Sequence, residues 1–220
     1  MTKAEIRAAE CAARFEYDKE KRKQHPIICG IDEAGRGPWI GRVYAAAVVL
    51  DDSIYIDGIN DSKKLSEKKR EQLFEEITEK AVSYSVAFAE VEEIEELNIL
   101  QATFLAMKRA FDGLETVPSL ALVDGNGVPN VGCNVETVVK GDSVSASIGA
   151  ASILAKVSRD RYVRELDKLY PEFGFASNKG YGTAQHIAAL REYGYTPVHR
   201  RSFLKKQEEK DGAFKEYGKK

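Results

Sequence analysis

Residues 43–50 read VYAAAVVL, eight apolar side chains in succession with no polar interruption. A half-exposed strand alternates apolar and polar residues, and this run leaves no face for water. It has the length of a strand and falls far short of the ~18 consecutive apolar residues that cross a membrane. Ile27 to Ile31 is a second, shorter apolar run, read as another buried strand. Strands of this kind need helices on the sheet faces, which points to an α/β or α+β architecture.

The rest of the chain supplies those helices. Lys3 to Gln24 carries Ile6, Ala9, Ala13 and Tyr17 at helical spacing, and Pro26 closes it. Its expected place is the edge of the sheet. Ser66 caps a helix running towards Lys80, and Ile94, Leu97, Leu100, Phe104, Met107 and Phe111 mark one face of a single long helix. Ser143 to Tyr170 reads as helix, and Thr183 caps a last one to about Tyr193. Further strands are expected at 82–90, 119–123 and 135–139, with 54–56 extending the sheet. The expected division is an N-terminal helical extension (1–26), a single domain (27–204) and a loose charged tail (205–220).

The 33 Lys and Arg against 35 Asp and Glu give a net charge of −2, which argues against binding nucleic acid purely by bulk positive field. Local patches remain: bases cluster at 156–168 and 199–206, and acids at 90–96. Three widely spaced cysteines make neither a disulfide framework nor a zinc site, and the N-terminus has no apolar leader. A cytoplasmic protein, with no membrane contact and acting as a monomer, is expected.

Four carboxylates sit where chemistry could gather them. Asp32 and Glu33 end the first strand, Asp124 ends the strand at 119–123, and Asp142 precedes the long helix. Taken singly, each has an ordinary alternative: a solvated strand end, an Asp-Gly turn, a helix cap. Taken together at the carboxyl ends of strands, they would repel one another unless divalent cations intervened. Oxygen donors favour Mg²⁺ or Mn²⁺, and a pair of such ions is the usual device for in-line displacement at a phosphodiester. Beside them, Gly35, Arg36 and Gly37 offer bare backbone and a guanidinium, or simply a tight turn. Tyr181 lies between two glycines and could stack on a sugar or base, or staple the loop. Lys63, Lys64 and Arg200 are candidates for binding phosphate, with a plain surface role equally open.

In order, GIDEAGRGP (30–38), DSKKLS (61–66), LVDGN (122–126), GDSVSASIGAASILAKVSRD (141–160), NKGYGTAQH (178–186) and HRRSF (199–203) closely resemble ribonuclease HII. The resemblance runs from about Ile27 to Phe203. It implies the ribonuclease H-like fold, a central mixed sheet flanked by helices with a small helical C-terminal part. It implies a metal-dependent endonuclease that cuts the RNA strand of RNA–DNA hybrids and incises 5′ of single ribonucleotides in duplex DNA, leaving 3′-hydroxyl and 5′-phosphate ends. Primer removal and ribonucleotide excision are the corresponding tasks. It makes Asp32, Glu33, Asp124 and Asp142 ligands of two divalent ions, and Gly35, Arg36, Gly37 and Tyr181 the readers of the ribose 2′-OH at the RNA–DNA junction. Trp39, Ile40, Arg42 and Gly149 depart from the family's usual text and bear on packing and substrate grip. The tail has no clear sliding-clamp motif, which leaves a clamp contact open. Two rivals stand beside this reading: another acidic-cluster nuclease of the same fold, and a non-catalytic nucleic-acid-binding module.

Overall fold

The computed structural model describes residues 1–218. A capping box opens α1 (Lys3–Arg22): the Thr2 hydroxyl accepts from the Glu5 N–H and the Glu5 carboxylate from the Thr2 N–H. Then come β1 (Ile28–Ala34), β2 (Val43–Val49), α2 (Glu67–Lys80) and β3 (Ser83–Ala89). The chain continues through α3 (Val91–Leu97), α4 (Ile99–Asp112), β4 (Leu120–Asp124), β5 (Asn134–Val138) and α5 (Ala146–Leu169). The single turn α6 (Phe175–Asn178), α7 (Ala184–Tyr193) and α8 (Arg201–Asp211) form the C-terminal part.

The strands lie in the order β3-β2-β1-β4-β5. β1 pairs antiparallel with β2 and parallel with β4; β2–β3 is antiparallel and β4–β5 parallel. This is the mixed sheet expected. The apolar run of β2 is explained by its position: Val43, Ala45, Ala47 and Val49 enter the core under α4, while Ala46, Val48 and Leu50 enter the core under α5. A third core, around Phe173, Phe175 and Leu190, holds the C-terminal helices together and takes in Ile40 from the β1–β2 connection.

Local departures have local causes. Residues 54–56 form no strand; Ile56 and Ile59 instead fill space beside Leu73 and Ile77 of α2. The long helix expected over 94–111 breaks at Asn98, where φ is +70° and the side chain accepts from the N–H groups of Leu100 and Gln101, starting α4 afresh. α5 starts at Ala146, capped by Ser145, because residues 141–143 wind into a 3₁₀ turn that carries Asp142. Residues 205–211 of the expected loose tail (205–220, of which 219 and 220 lie outside the described residues) belong to α8, which buries Leu204 and is tied by Arg191 to Asp211 (2.7 Å) and by a Tyr195–Glu208 hydrogen bond. As expected, α1 reaches the sheet edge: Tyr17 and Lys21 meet Glu136 on β5. It also reaches α5, where Asp18 accepts from the Ser147 N–H and hydroxyl. No helix among the described residues is long and apolar enough to cross a membrane.

Candidate active site

β1 and β4 run side by side in parallel, with Ile31 opposite Val123 as their last pair, so the next residues, Asp32 and Asp124, come together where β1 leaves β4. Asp124 ends its strand, but Asp32 and Glu33 do not, because β1 runs on to Ala34 against β2. Asp142 arrives from the 3₁₀ turn before α5, whose Gly141 N–H donates to Asp124 Oδ1 at 2.6 Å. Ser152 of α5 reaches over to Asp32. Sheet topology thus brings residues more than a hundred positions apart to one place.

The acids feel one another. Asp32, 5% exposed, has its carboxyl pushed well above the ordinary range, first by burial and then by Glu33 and Asp124. Glu33 is raised by burial and by Asp124, with Arg36 opposing; the Arg36 guanidinium lies 3.4 Å from it. Asp142 is pushed up to about 6 by burial, then by Asp61 and Asp124, with Asp61 in side-chain hydrogen-bonding reach. Asp61 is the acid that reading the sequence left out. It sits in the DSKKLS stretch, where its carboxylate also accepts from the Lys63 N–H.

Among the described residues no group of three or more His, Cys, Asp or Glu side chains is placed so that it could hold a metal ion by itself. The carboxylates adjoin as overlapping sets, Asp32–Glu33–Asp124 and Asp124–Asp142–Asp61, and do not form the single closed nest that the sequence suggests. The donor chemistry nevertheless fits Mg²⁺ or Mn²⁺. These are hard oxygen ligands whose mutual repulsion a divalent cation would relieve, and Mg²⁺ is commonly held by one or two carboxylates with water and substrate phosphate completing its shell.

A cleft of about 330 Å³ joins two of these acids to the other candidates: Asp32 and Glu33, the Gly35–Gly37 turn, Lys63 and Tyr181 all line it, whereas Asp124, Asp142 and Asp61 do not. Gly35 turns the chain at φ +97°, and Arg36 and Gly37 are exposed. Tyr181 is 53% exposed and faces Gly37, where a Cβ would stand 3.3 Å from its ring. The loop carrying it is pressed from behind. The Trp39 N–H donates to the Gly180 carbonyl at 2.8 Å, and a Cβ on Gly182 would stand 2.2 Å from the Trp39 ring. Trp39 and Ile40, two of the unusual residues, therefore act as backing for this loop. Arg42, the third, binds Glu90 through two hydrogen bonds and lies over the Phe88 ring. Gly149 leaves room for Ile59, whose methyl would stand 2.7 Å from a Cβ there.

Several basic candidates are placed otherwise than expected. Arg200 is fully buried, pushed down to about 9 by burial and by Arg159, and donates to the carbonyls of Arg36, Pro38 and Gly41. It is a strut beneath the glycine turn and is withdrawn from any phosphate. Lys64 donates to Ser143 Oγ at 3.1 Å beside the acids, lining a different cavity from Lys63. In the basic stretch 156–168, Arg161 and Arg164 are bound to Glu67, Glu71 and Glu75 of α2; Lys156 and the buried Arg159 line the cleft.

Acids on neighbouring strands of a helix-flanked mixed sheet, with Asp32 and Glu33 opening into a cleft that Lys63 and Lys156 also line, are the arrangement of a phosphodiester hydrolase of the ribonuclease H-like class. Comparison with known proteins narrows this. The family model for ribonuclease HII matches residues 29–206. A ribonuclease HII of Caldicellulosiruptor saccharolyticus is 52% identical over 192 residues, covering 87% of this chain and 94% of that one. The crystal structure of ribonuclease H2 from Pyrococcus horikoshii superposes with a TM-score of 0.72 at 30% identity, over 84% of this chain and 98% of that one. Ribonuclease HII of Archaeoglobus fulgidus, solved in complex with PCNA, gives 0.63 at 28% identity, over 79% and 93%. The chain belongs to the ribonuclease HII family, and it is an enzyme, a divalent-metal-dependent endonuclease of the ribonuclease H type.

Proposed function

We propose that this enzyme hydrolyses the RNA strand of RNA–DNA hybrids and incises on the 5′ side of single ribonucleotides embedded in duplex DNA, leaving 3′-hydroxyl and 5′-phosphate ends. The observation that carries the reading is the shared cleft, in which the Asp32–Glu33 pair, the Gly35–Gly37 turn and Tyr181 face one space. Such a site can couple cutting to recognition of a ribose.

Asp32, Glu33, Asp124 and Asp142 would hold two divalent ions, Mg²⁺ or Mn²⁺. When bound, these ions supply charge neutralisation at the scissile phosphate and activation of the attacking water. The remaining work falls to the chain itself. The exposed backbone of the Gly35–Gly37 turn offers hydrogen bonds to the 2′-OH, which deoxyribose cannot make. The 2′-OH serves as a handle and not as nucleophile. The Tyr181 ring stacks on the deoxyribose beyond the junction and excludes a second 2′-OH there. Lys63 holds a backbone phosphate without reading sequence. Removal of misincorporated ribonucleotides and of primers, in the cytoplasm, is the corresponding cellular role. Contact with a sliding clamp is supported by the archaeal relative's complex alone.

The test is a duplex with one central ribonucleotide, assayed with Mg²⁺ or Mn²⁺ and with EDTA. The expected result is one cut 5′ of the ribonucleotide, abolished by EDTA. Cutting that persists in EDTA, or indifference to the ribonucleotide, would contradict the reading.

A further inference from the structure

Two buried histidines behind the cleft take no part in that chemistry, yet they end on the backbone of Tyr181. His186 is fully buried and His199 is 3% exposed. Their Nε2 atoms lie 3.0 Å apart. On the far side of one ring, His186 Nδ1 is 3.0 Å from the Tyr181 carbonyl oxygen. On the far side of the other, His199 Nδ1 is 3.0 Å from the Thr196 backbone nitrogen and 2.8 Å from the Thr196 hydroxyl.

These contacts admit a single arrangement of protons. A backbone N–H can only donate, so His199 Nδ1 is an acceptor. A neutral imidazole carries one N–H, which in His199 must then be on Nε2. It donates to His186 Nε2, so the His186 proton is on Nδ1, where the Tyr181 carbonyl accepts it. Each assignment forces the next, and all four ring nitrogens are satisfied. The Tyr181 carbonyl also accepts from the Thr183 N–H at 2.8 Å, filling both of its lone pairs.

The surroundings keep both rings neutral. Phe173 packs against His199 with ring centroids 5.1 Å apart, and Phe175 and Trp39 pack against His186 at 5.3 and 5.6 Å. Burial lowers both imidazoles, His199 to about 3 with the nearness of His186 contributing. Charging either ring would set two N–H groups against each other across the 3.0 Å contact.

We infer that His199 and His186 are positioning residues for ribose discrimination. Their one-way hydrogen-bonded chain runs from Thr196 to the Tyr181 carbonyl and fixes where the exposed ring stands opposite Gly37. The inference rests on the junction-reading role given to Tyr181 above.

One test uses the unaltered protein. Nitrogen-15 spectra of its histidines at neutral pH should show His199 protonated on Nε2 and His186 on Nδ1, both neutral. The opposite tautomer in either ring, or a charged ring, would overturn the chain. A second test measures kcat and KM for His186→Leu, His186→Asn and Tyr181→Ala on a single-ribonucleotide duplex and on an uninterrupted RNA–DNA hybrid. His186→Leu should lower the preference for the single ribonucleotide at least tenfold, chiefly through kcat. His186→Asn keeps an N–H directed at the Tyr181 carbonyl and should recover most of the preference. An unchanged preference in His186→Leu, or an equal loss in both variants, would refute the positioning role. Tyr181→Ala separates the two failures. If it loses the preference while His186→Leu keeps it, only the histidine chain falls; if it keeps the preference, the reading of Tyr181 falls and the histidine role with it.

Discussion

At the acidic floor of the cleft Asp32 is buried and Glu33 half-buried, Asp142 lies buried outside the cleft lining, and each is set among like charges and resists ionisation. On the wall that carries Tyr181, neutral donors and acceptors pair off: Trp39 with Gly180, His199 with His186, His186 with Tyr181. The floor is electrostatically incomplete and calls for cations. The wall pairs its neutral groups internally and gives an edge against which a sugar can be measured. A nuclease that must both cut and discriminate separates the two demands in this way: like-charge repulsion is concentrated where metal and phosphate will relieve it, and the reading surface is built from neutral hydrogen bonds.

The comparison breaks most sharply at the floor. Asp124→Asn should lower cleavage by about 10³-fold, roughly 4 kcal/mol of transition-state stabilisation, while substrate binding and folding persist. The protein loses a negative charge among negatives, so its melting temperature should hold or rise. Cleavage within a fewfold of normal would take Asp124 out of the reaction. The wall should respond in the opposite manner. Arg200→Ala would strand the carbonyls of Arg36, Pro38 and Gly41 and should cost ~3 kcal/mol or more of stability in urea unfolding. If stability were unchanged and only DNA binding weakened, Arg200 would be the phosphate ligand its sequence context suggests.

A third experiment reads the floor through pH. A carboxyl whose folded pKa is raised favours the folded state in its protonated form. Its contribution to stability is therefore lost as pH climbs from the ordinary carboxylate range, ~4, through about 6 for Asp142. A cation bound to the ionised acids restores it. Mn²⁺ at a hundredfold excess over its Kd should stabilise the protein by ~2.7 kcal/mol at pH 7.5, a rise in Tm on the order of 5–10 °C. At pH 5 the rise should largely vanish. Equal rises at both pH values would place the cation elsewhere. The smallest effect separates free bases from paired ones. Lys63→Ala should reduce the slope of log Kd against log salt by about 1, whereas Arg164→Ala, a residue already bound to Glu67 and Glu71, should leave it unchanged. The same loss in both would mean that the Arg164 pairs open on binding.

This contrast also explains how much could be read without coordinates. Strand ends and acids leave local marks: an apolar run, then a carboxylate, then glycine. β1, β4 and the carboxylates Asp32, Glu33 and Asp124 were legible for that reason, whereas Asp142, in a 3₁₀ turn after Gly141, was singled out by its place before a long helix. The wall leaves almost none. Arg200 stands in a basic run that looks solvated, and its burial depends on carbonyls some 160 residues away. His186 and His199 meet only because α7 folds back on its own connection to α8. Asp61 lay in a stretch already singled out, but its neighbours Lys63 and Lys64 drew attention from a carboxylate that meets Asp142 only through the fold. The break at Asn98 and the helix α8 were likewise decided by a capping side chain and by tertiary contacts, which periodicity does not register.

The central claim is that these strand-end acids share divalent cations. Titration of Mn²⁺ into the protein at pH 7.5, followed by the paramagnetic resonance of the free ion, tests it most directly. Saturable binding, weakened at least tenfold by Asp32→Asn and by Asp124→Asn and untouched by Arg164→Ala, is the predicted result. No saturable binding, or the same affinity in all four proteins, would contradict it.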